Sequence, residues 1–226
     1  MNITTTKMDN QKEEKLAIVL EVRYLTESVF VIRFESNGLI FKAGQYVKLG
    51  TPDHNERREY SVYSPVSAEY LEVIVQLVDE ASFSYRLSQL RSGDKIFVRG
   101  PFGAFNLEET WQEDKNIFIA SGTGISPFHC MVLSFPELNY TLLHGVRKLN
   151  EGYDRGVYHE ARYIQCTSGE QGSEFYGRVT DYLRKYKPDS KAHYYLCGNS
   201  AMINEVWNLL KMADVPNTSI HAEIYF

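Results

Sequence analysis

Residues 118–128 read FIASGTGISPF: an apolar run that breaks into Gly122-Thr123-Gly124 and then meets Pro127. Glycine adopts backbone angles closed to other residues and lets a phosphate or a ring approach without meeting a Cβ. Pro127 suits the first turn of a helix, where its missing N–H costs nothing. Strand, glycine turn and helix opener, in that order, form a nucleotide-binding βα unit whose helix N-terminus favours anions. The third glycine of the dinucleotide fingerprint is absent. The following apolar run ends in HGVR, with a basic Arg147 where an acidic residue would hold an adenosine ribose. The turn is therefore a nucleotide turn of a different type.

Around it, apolar runs at 116–120, 140–146, 162–167 and 192–198 alternate with helical patterns at 127–135, 177–186 and 200–212. Such alternation predicts a parallel sheet with helices on both faces, and ligands beyond the carboxyl ends of its strands. The first half has a different rhythm. Stretches 16–25, 29–36, 45–51, 58–64, 70–78 and 95–101 alternate at period two, are rich in Val, Ile, Tyr and Phe, and leave one helix candidate at 82–90. Six short strands of this kind predict a closed antiparallel barrel. The rhythm changes across the polar segment FNLEETWQED (105–114). The expected division is a tail over 1–15, a six-stranded antiparallel β-barrel over 16–106, and an α/β domain with a parallel sheet over 107–226.

The 226 residues are 43% hydrophobic and 23% charged, enough apolar content for a packed core. No run is long and apolar enough to cross a membrane, and the polar start MNITTTKMDNQKEEK lacks the apolar segment of a signal peptide. A net charge of −5 argues against nucleic acid as a partner. Cys130, Cys166 and Cys197 are odd in number and far apart, which excludes a disulfide framework and fits the cytoplasm. The six histidines show no metal-binding spacing, so no metal site is expected.

Three further stretches complete a pattern: REYS at 58–61, LCGN at 196–199 and EIYF at 223–226. With GTGISP between them, they make nearly the whole chain resemble the ferredoxin–NADP⁺ reductase family, flavoenzymes that pair a flavin-binding barrel with a nucleotide-binding α/β domain. YSVYSP, GAF and the aromatic end are similar to the bacterial ferredoxin/flavodoxin reductases. The resemblance implies FAD as cofactor. It implies that Arg58 pairs with a flavin phosphate, Tyr60 lies against the isoalloxazine, and the Ser61 hydroxyl reaches flavin N5. Ser84 matches the serine of the family's phosphate-binding helix, although Glu80-Ala81-Ser82 stands where the family carries a glycine. Gly122, Thr123, Gly124 and Pro127 would take the diphosphate of the nicotinamide nucleotide. Cys197, followed by Gly198, would border the nicotinamide. Glu223 would be the proton-linked acid, and Tyr225 the terminal tyrosine that yields to the nicotinamide, with Phe226 beyond it.

A 2′-phosphate calls for cationic donors. The resemblance places such donors at Arg147 and Arg178, but Ser168-Gly169 stands where the family carries Ser-Arg, and Lys148 or Arg155 is left to compensate. NADPH is favoured over NADH. The implied activity is hydride transfer from NADPH to FAD and single-electron delivery to ferredoxin or flavodoxin, by a monomer. Since the chain has no iron–sulfur cysteine cluster, any such centre belongs to a partner. The alternative is a flavin reductase, or the reductase component of an oxygenase or cytochrome chain, on the same scaffold.

Overall fold

The computed structural model describes residues 13–225; most of the 1–15 tail and Phe226 lie outside the described residues. The chain divides into two units, one of residues 1–106 with 129–134, the other of residues 107–128 with 135–226.

The first unit is an antiparallel sheet of β1 (Lys15–Tyr24), β2 (Val29–Glu35), β3 (Tyr46–Gly50), β4 (Arg58–Ser61), β5 (Tyr70–Gln76) and β6 (Lys95–Phe102). The order is β4-β3-β6-β1-β2-β5. It closes on itself just past β4, where Val62 bridges Val73 and Tyr63 N donates to Glu72 O at 2.7 Å. Closure removes the exposed sheet edges. Register shifts in β1 at Val19/Glu21 and in β3 at Tyr46/Lys48 supply the bends that closure requires. Alternate residues of the strands, among them Val19, Phe30, Ile32, Phe34, Leu71 and Val73, fill the interior. The single short helix α1 (Phe83–Ser88) adds Phe83 and Leu87 to that core.

In the second unit all strands run parallel: β7 (Asn116–Ser121), β8 (Tyr140–Val146), β9 (Tyr163–Thr167), β10 (Phe175–Tyr176), β11 (His193–Asn199) and β12 (Ile220–Tyr225), in the order β10-β9-β8-β7-β11-β12. Helices α3 (Val179–Lys185) and α4 (Ser200–Met212) cover one face, packing Val179, Leu183, Ile203, Val206 and Leu210 on Ile117 and Ile119 of β7. The residue between those two, Phe118, points to the other face and stacks on Phe128 of α2 (Ser126–Ser134), with ring centroids 4.7 Å apart. Helices on both faces follow from this alternation. The chain leaves β7 towards β8 on one side and later returns to β11 on the other, so the topological switch point lies between β7 and β11.

Two details add to the sequence reading. Strand β10 is two residues long, too short to carry a period. The polar segment at the change of rhythm is held by side chains. Glu108 N donates to the Tyr195 hydroxyl at 3.0 Å, and Trp111 packs on Phe135 at 4.8 Å.

Candidate cofactor sites

In the barrel unit, β4 carries REYS. Ser61 is buried at its end, while Tyr60 is half-buried, leaning on Phe83 of α1 with centroids 6.5 Å apart. Burial pushes the Tyr60 phenol up, so its ring is a neutral flat face. Arg58 projects outwards, its side chain 65% exposed, and its Nε donates to Glu56 Oε1 at 2.9 Å. The other oxygen of Glu56 accepts from Arg86 of α1. Arg58 and Arg86, held by these bonds, keep the Glu56 carboxyl below the usual carboxylate range. One carboxylate thus gathers two guanidiniums from separate elements, a donor set that matches a diphosphate. Sequence reasoning found Arg58 and missed Arg86 and Glu56, because a pairing across 30 residues leaves no local signal. Ser84 is less available than the family motif implies. Ser82, not Ser84, caps α1, accepting from Tyr85 N at 3.2 Å. The buried Ser84 hydroxyl accepts from Val78 N at 3.1 Å and lies 2.8 Å from the Ser82 hydroxyl.

In the α/β unit, the nucleotide turn stands at the switch point. Gly122–Ile125 form a single 3₁₀ turn that runs into α2, and Pro127 sits buried in the first turn of that helix, as its fixed φ favours. The two glycines do different work. Gly122 has φ +52° and a Cβ there would meet nothing within 4 Å, so the turn is open on that side. Beside it, Thr123 is half-buried. A Cβ on Gly124 would lie 2.4 Å from the Cys197 carbonyl oxygen, so this glycine serves the packing of two loops. Gly198 answers it from β11: with φ +128°, its Cβ would fall 2.4 Å from Ser121 Oγ. Ser121 Oγ in turn accepts from Asn199 N at 2.9 Å. The turn after β7 and the end of β11 therefore pack at a distance that only glycine permits.

Beneath the turn lies a residue that sequence reasoning passed over inside HGVR. His144 is fully buried in β8, with Nε2 2.9 Å from the Gly122 carbonyl and Nδ1 2.8 Å from the Tyr163 hydroxyl. A carbonyl only accepts, so Nε2 carries the proton and Nδ1 accepts from Tyr163. Burial lowers the imidazole to about 4, which keeps it neutral while it holds the Gly122 carbonyl.

Strands β11 and β12 bring LCGN and EIYF together. Cys197 pairs in register with Glu223, Gly198 with Ile224 and Asn199 with Tyr225. Cys197 Sγ donates to Glu223 Oε2 at 4.0 Å. Burial first, then the Glu223 charge, push the thiol well up, so Cys197 is a neutral thiol and not a nucleophile. Asn199 caps α4, its Oδ1 accepting from Ala201 N at 2.9 Å.

The arginines expected at a 2′-phosphate lie where β8 and β10 end. Arg147 directly follows β8, and its carbonyl accepts from Gly169 N at 3.0 Å. Arg178 caps α3 through its backbone, donating to Asp181 Oδ2 at 2.9 Å. Arg33, Arg57, Arg58, Arg86, Arg155 and Arg184 each pair with a carboxylate. Among the described residues, the guanidiniums of Arg147 and Arg178 have no such partner. Arg155, by contrast, bonds to Glu174 and Gln165. The arginine of the family's Ser-Arg pair has no room at its position here, because a Cβ on Gly169 would lie 2.8 Å from the Arg147 carbonyl oxygen.

Among the described residues, no helix is long and apolar enough to cross a membrane, and no group of three His, Cys, Asp or Glu side chains is placed to hold a metal ion. Residues 17–107 match the oxidoreductase FAD-binding domain, and residues 118–207 the oxidoreductase NAD-binding domain. The chain is 30% identical to the phenol hydroxylase P5 protein of Acinetobacter pittii over 92% of its own length, and spans 64% of that longer protein, just under two thirds. It is 26% identical to the flavodoxin/ferredoxin–NADP reductase of Buchnera aphidicola, over 86% of this chain and 89% of that one. In fold it superimposes with a TM-score of 0.84 on a ferredoxin NADP⁺ reductase from Neisseria gonorrhoeae solved with bound FAD and NADP, covering 94% of this chain and 99% of that one at 22% identity. With both domain models matched in this order, the chain is an FAD- and NAD(P)-binding oxidoreductase of the ferredoxin–NADP⁺ reductase family.

Proposed function

We propose that the protein is a ferredoxin/flavodoxin–NADP⁺ reductase-type flavoenzyme of the cytoplasm, monomeric, with FAD carried by residues 16–106 and NADPH by residues 107–226. The observation that carries the reading is the glycine-joined switch point, where Gly124 of the nucleotide turn packs on Cys197, itself paired in register with Glu223. When bound, FAD would supply the redox chemistry, two-electron exchange with a nicotinamide and one-electron exchange with an acceptor. Arg58 and Arg86 would hold the flavin diphosphate, and Tyr60 and Ser61 would line the side of its ring system. Gly122, Thr123 and Pro127 receive the nucleotide diphosphate at the mouth of α2, with Gly124 packing that turn on β11, while Arg147 and Arg178 read the 2′-phosphate. Cys197, Gly198 and Tyr225 shape the nicotinamide end, and Glu223 keeps a proton acceptor within reach of the thiol.

The acceptor distinguishes this reading from its rival, the reductase component of an oxygenase, which the similarity to the phenol hydroxylase P5 protein supports. NADPH-driven reduction should be measured with flavodoxin, a plant-type ferredoxin and free riboflavin in parallel. Efficient turnover of flavodoxin or ferredoxin is expected. Turnover of riboflavin alone would refute the assignment.

A further inference from the structure

The Arg58–Glu56–Arg86 cluster of the barrel unit has a property beyond the reading given above for Arg58, on which it rests. Glu56 uses both carboxylate oxygens, one on each guanidinium, as a phosphate group would. The cluster holds two positive charges against one negative charge, so it remains a site for an anion. The side chains of Arg58, Glu56 and Arg86 are 65%, 35% and 23% exposed, so a ligand can reach them from solvent. The cluster adjoins the flat face offered to the isoalloxazine, since the Arg86 guanidinium lies 5.3 Å from the Phe83 ring and Phe83 leans on Tyr60. Glu56 itself belongs to the irregular segment between β3 and β4. Its carbonyl is fixed by Arg57 Nη1 at 2.9 Å, and Arg57 is held by Glu14 at 2.7 Å. Rotation of the Glu56 side chain alone therefore frees both arginines without moving the backbone.

We propose that Glu56 is an internal competitor for the flavin diphosphate: its carboxylate stands in for phosphate on Arg58 and Arg86 and lets go when the diphosphate arrives, with Arg86 as a second diphosphate ligand. The device selects by charge. A flavin bearing phosphate displaces the carboxylate, whereas riboflavin has nothing to displace it with. FAD affinity is then set by the difference between two anions on the same cations. Exposed ion pairs are weak, so removing the competitor should tighten FAD binding only roughly three- to thirtyfold.

The test is the dissociation constant of FAD and of riboflavin, read by flavin fluorescence on flavin-stripped full-length protein, for the wild type, Glu56→Gln, Glu56→Ala, Arg86→Ala and Arg58→Ala. The proposal expects both Glu56 variants to tighten FAD and leave riboflavin unchanged, and Arg86→Ala to weaken FAD about tenfold. In the Arg86→Ala background the gain from Glu56→Gln should shrink, since the two groups interact. Weaker or unchanged FAD binding in the Glu56 variants would overturn the proposal, as would failure of both to fold, because a competitor is dispensable to the barrel. Unchanged FAD binding in Arg58→Ala would instead refute the underlying reading of Arg58, whatever the Glu56 variants do.

Discussion

His144 is enclosed on every side and bonded through both ring nitrogens, so its protonation is tied to the stability of the α/β unit. Its pKa is depressed from 6.5 to about 4. The native state therefore binds fewer protons than the unfolded chain between those values, and stability is lost as pH falls through that window. Between pH 7 and pH 5, linkage from these two values gives a loss of about 2 kcal/mol from this residue alone. The perturbation to compare is His144→Gln, which retains an amide donor for the Gly122 carbonyl but has no proton to gain. Denaturant melts of both proteins at pH 7 and pH 5 isolate the histidine, since other titrating groups cancel in the difference. The variant should be the less stable protein at pH 7, yet lose about 2 kcal/mol less than the wild type on acidification. Parallel losses in the two proteins would refute the reasoning, because they would mean that His144 titrates as though it were in water.

The glycines of the switch point should rank by what their Cβ would meet. Gly124→Ala and Gly198→Ala, each with an atom at 2.4 Å, should cost about 3 kcal/mol in denaturant melts, and Gly122→Ala only the ~1 kcal/mol of its backbone angle. Burial pushes the Cys130 and Cys166 thiols up to about 12 and Cys197 well above its ordinary value. A thiol-exchange reagent at pH 8 should therefore detect no fast cysteine in native protein and all three after unfolding. Arg178→Ala should raise KM for NADPH about tenfold while leaving KM for NADH nearly unchanged; equal effects would remove Arg178 from the 2′-phosphate.

How much of this could be read from residues alone depended on distance along the chain. The barrel strands and the α/β alternation were legible because burial repeats within a few residues, at period two in β6 and as continuous runs in β7 and β11. Proline at 127 was legible as a helix opener for the same local reason. What escaped was set by pairing. Gly124 reads as a phosphate-approach glycine until β7 and β11 lie side by side and its neighbour proves to be the Cys197 carbonyl. His144 reads as an ordinary strand residue until parallel pairing brings β8 beside β7 and β9. Glu56 and Arg86, 30 residues apart, meet only when α1 docks on the barrel. Ser84 shows the converse: the motif selected the right helix, but local hydrogen bonding gave the cap to Ser82.

The central claim is that this chain carries FAD and reduces it with a nicotinamide nucleotide. An absorption spectrum of the purified protein, followed by anaerobic titration with NADPH, tests it most directly. The account predicts a yellow protein with flavin bands near one equivalent per chain, bleached stoichiometrically by NADPH and far less readily by NADH. A colourless protein that takes up no FAD, or a bound flavin that neither nucleotide reduces, would contradict it.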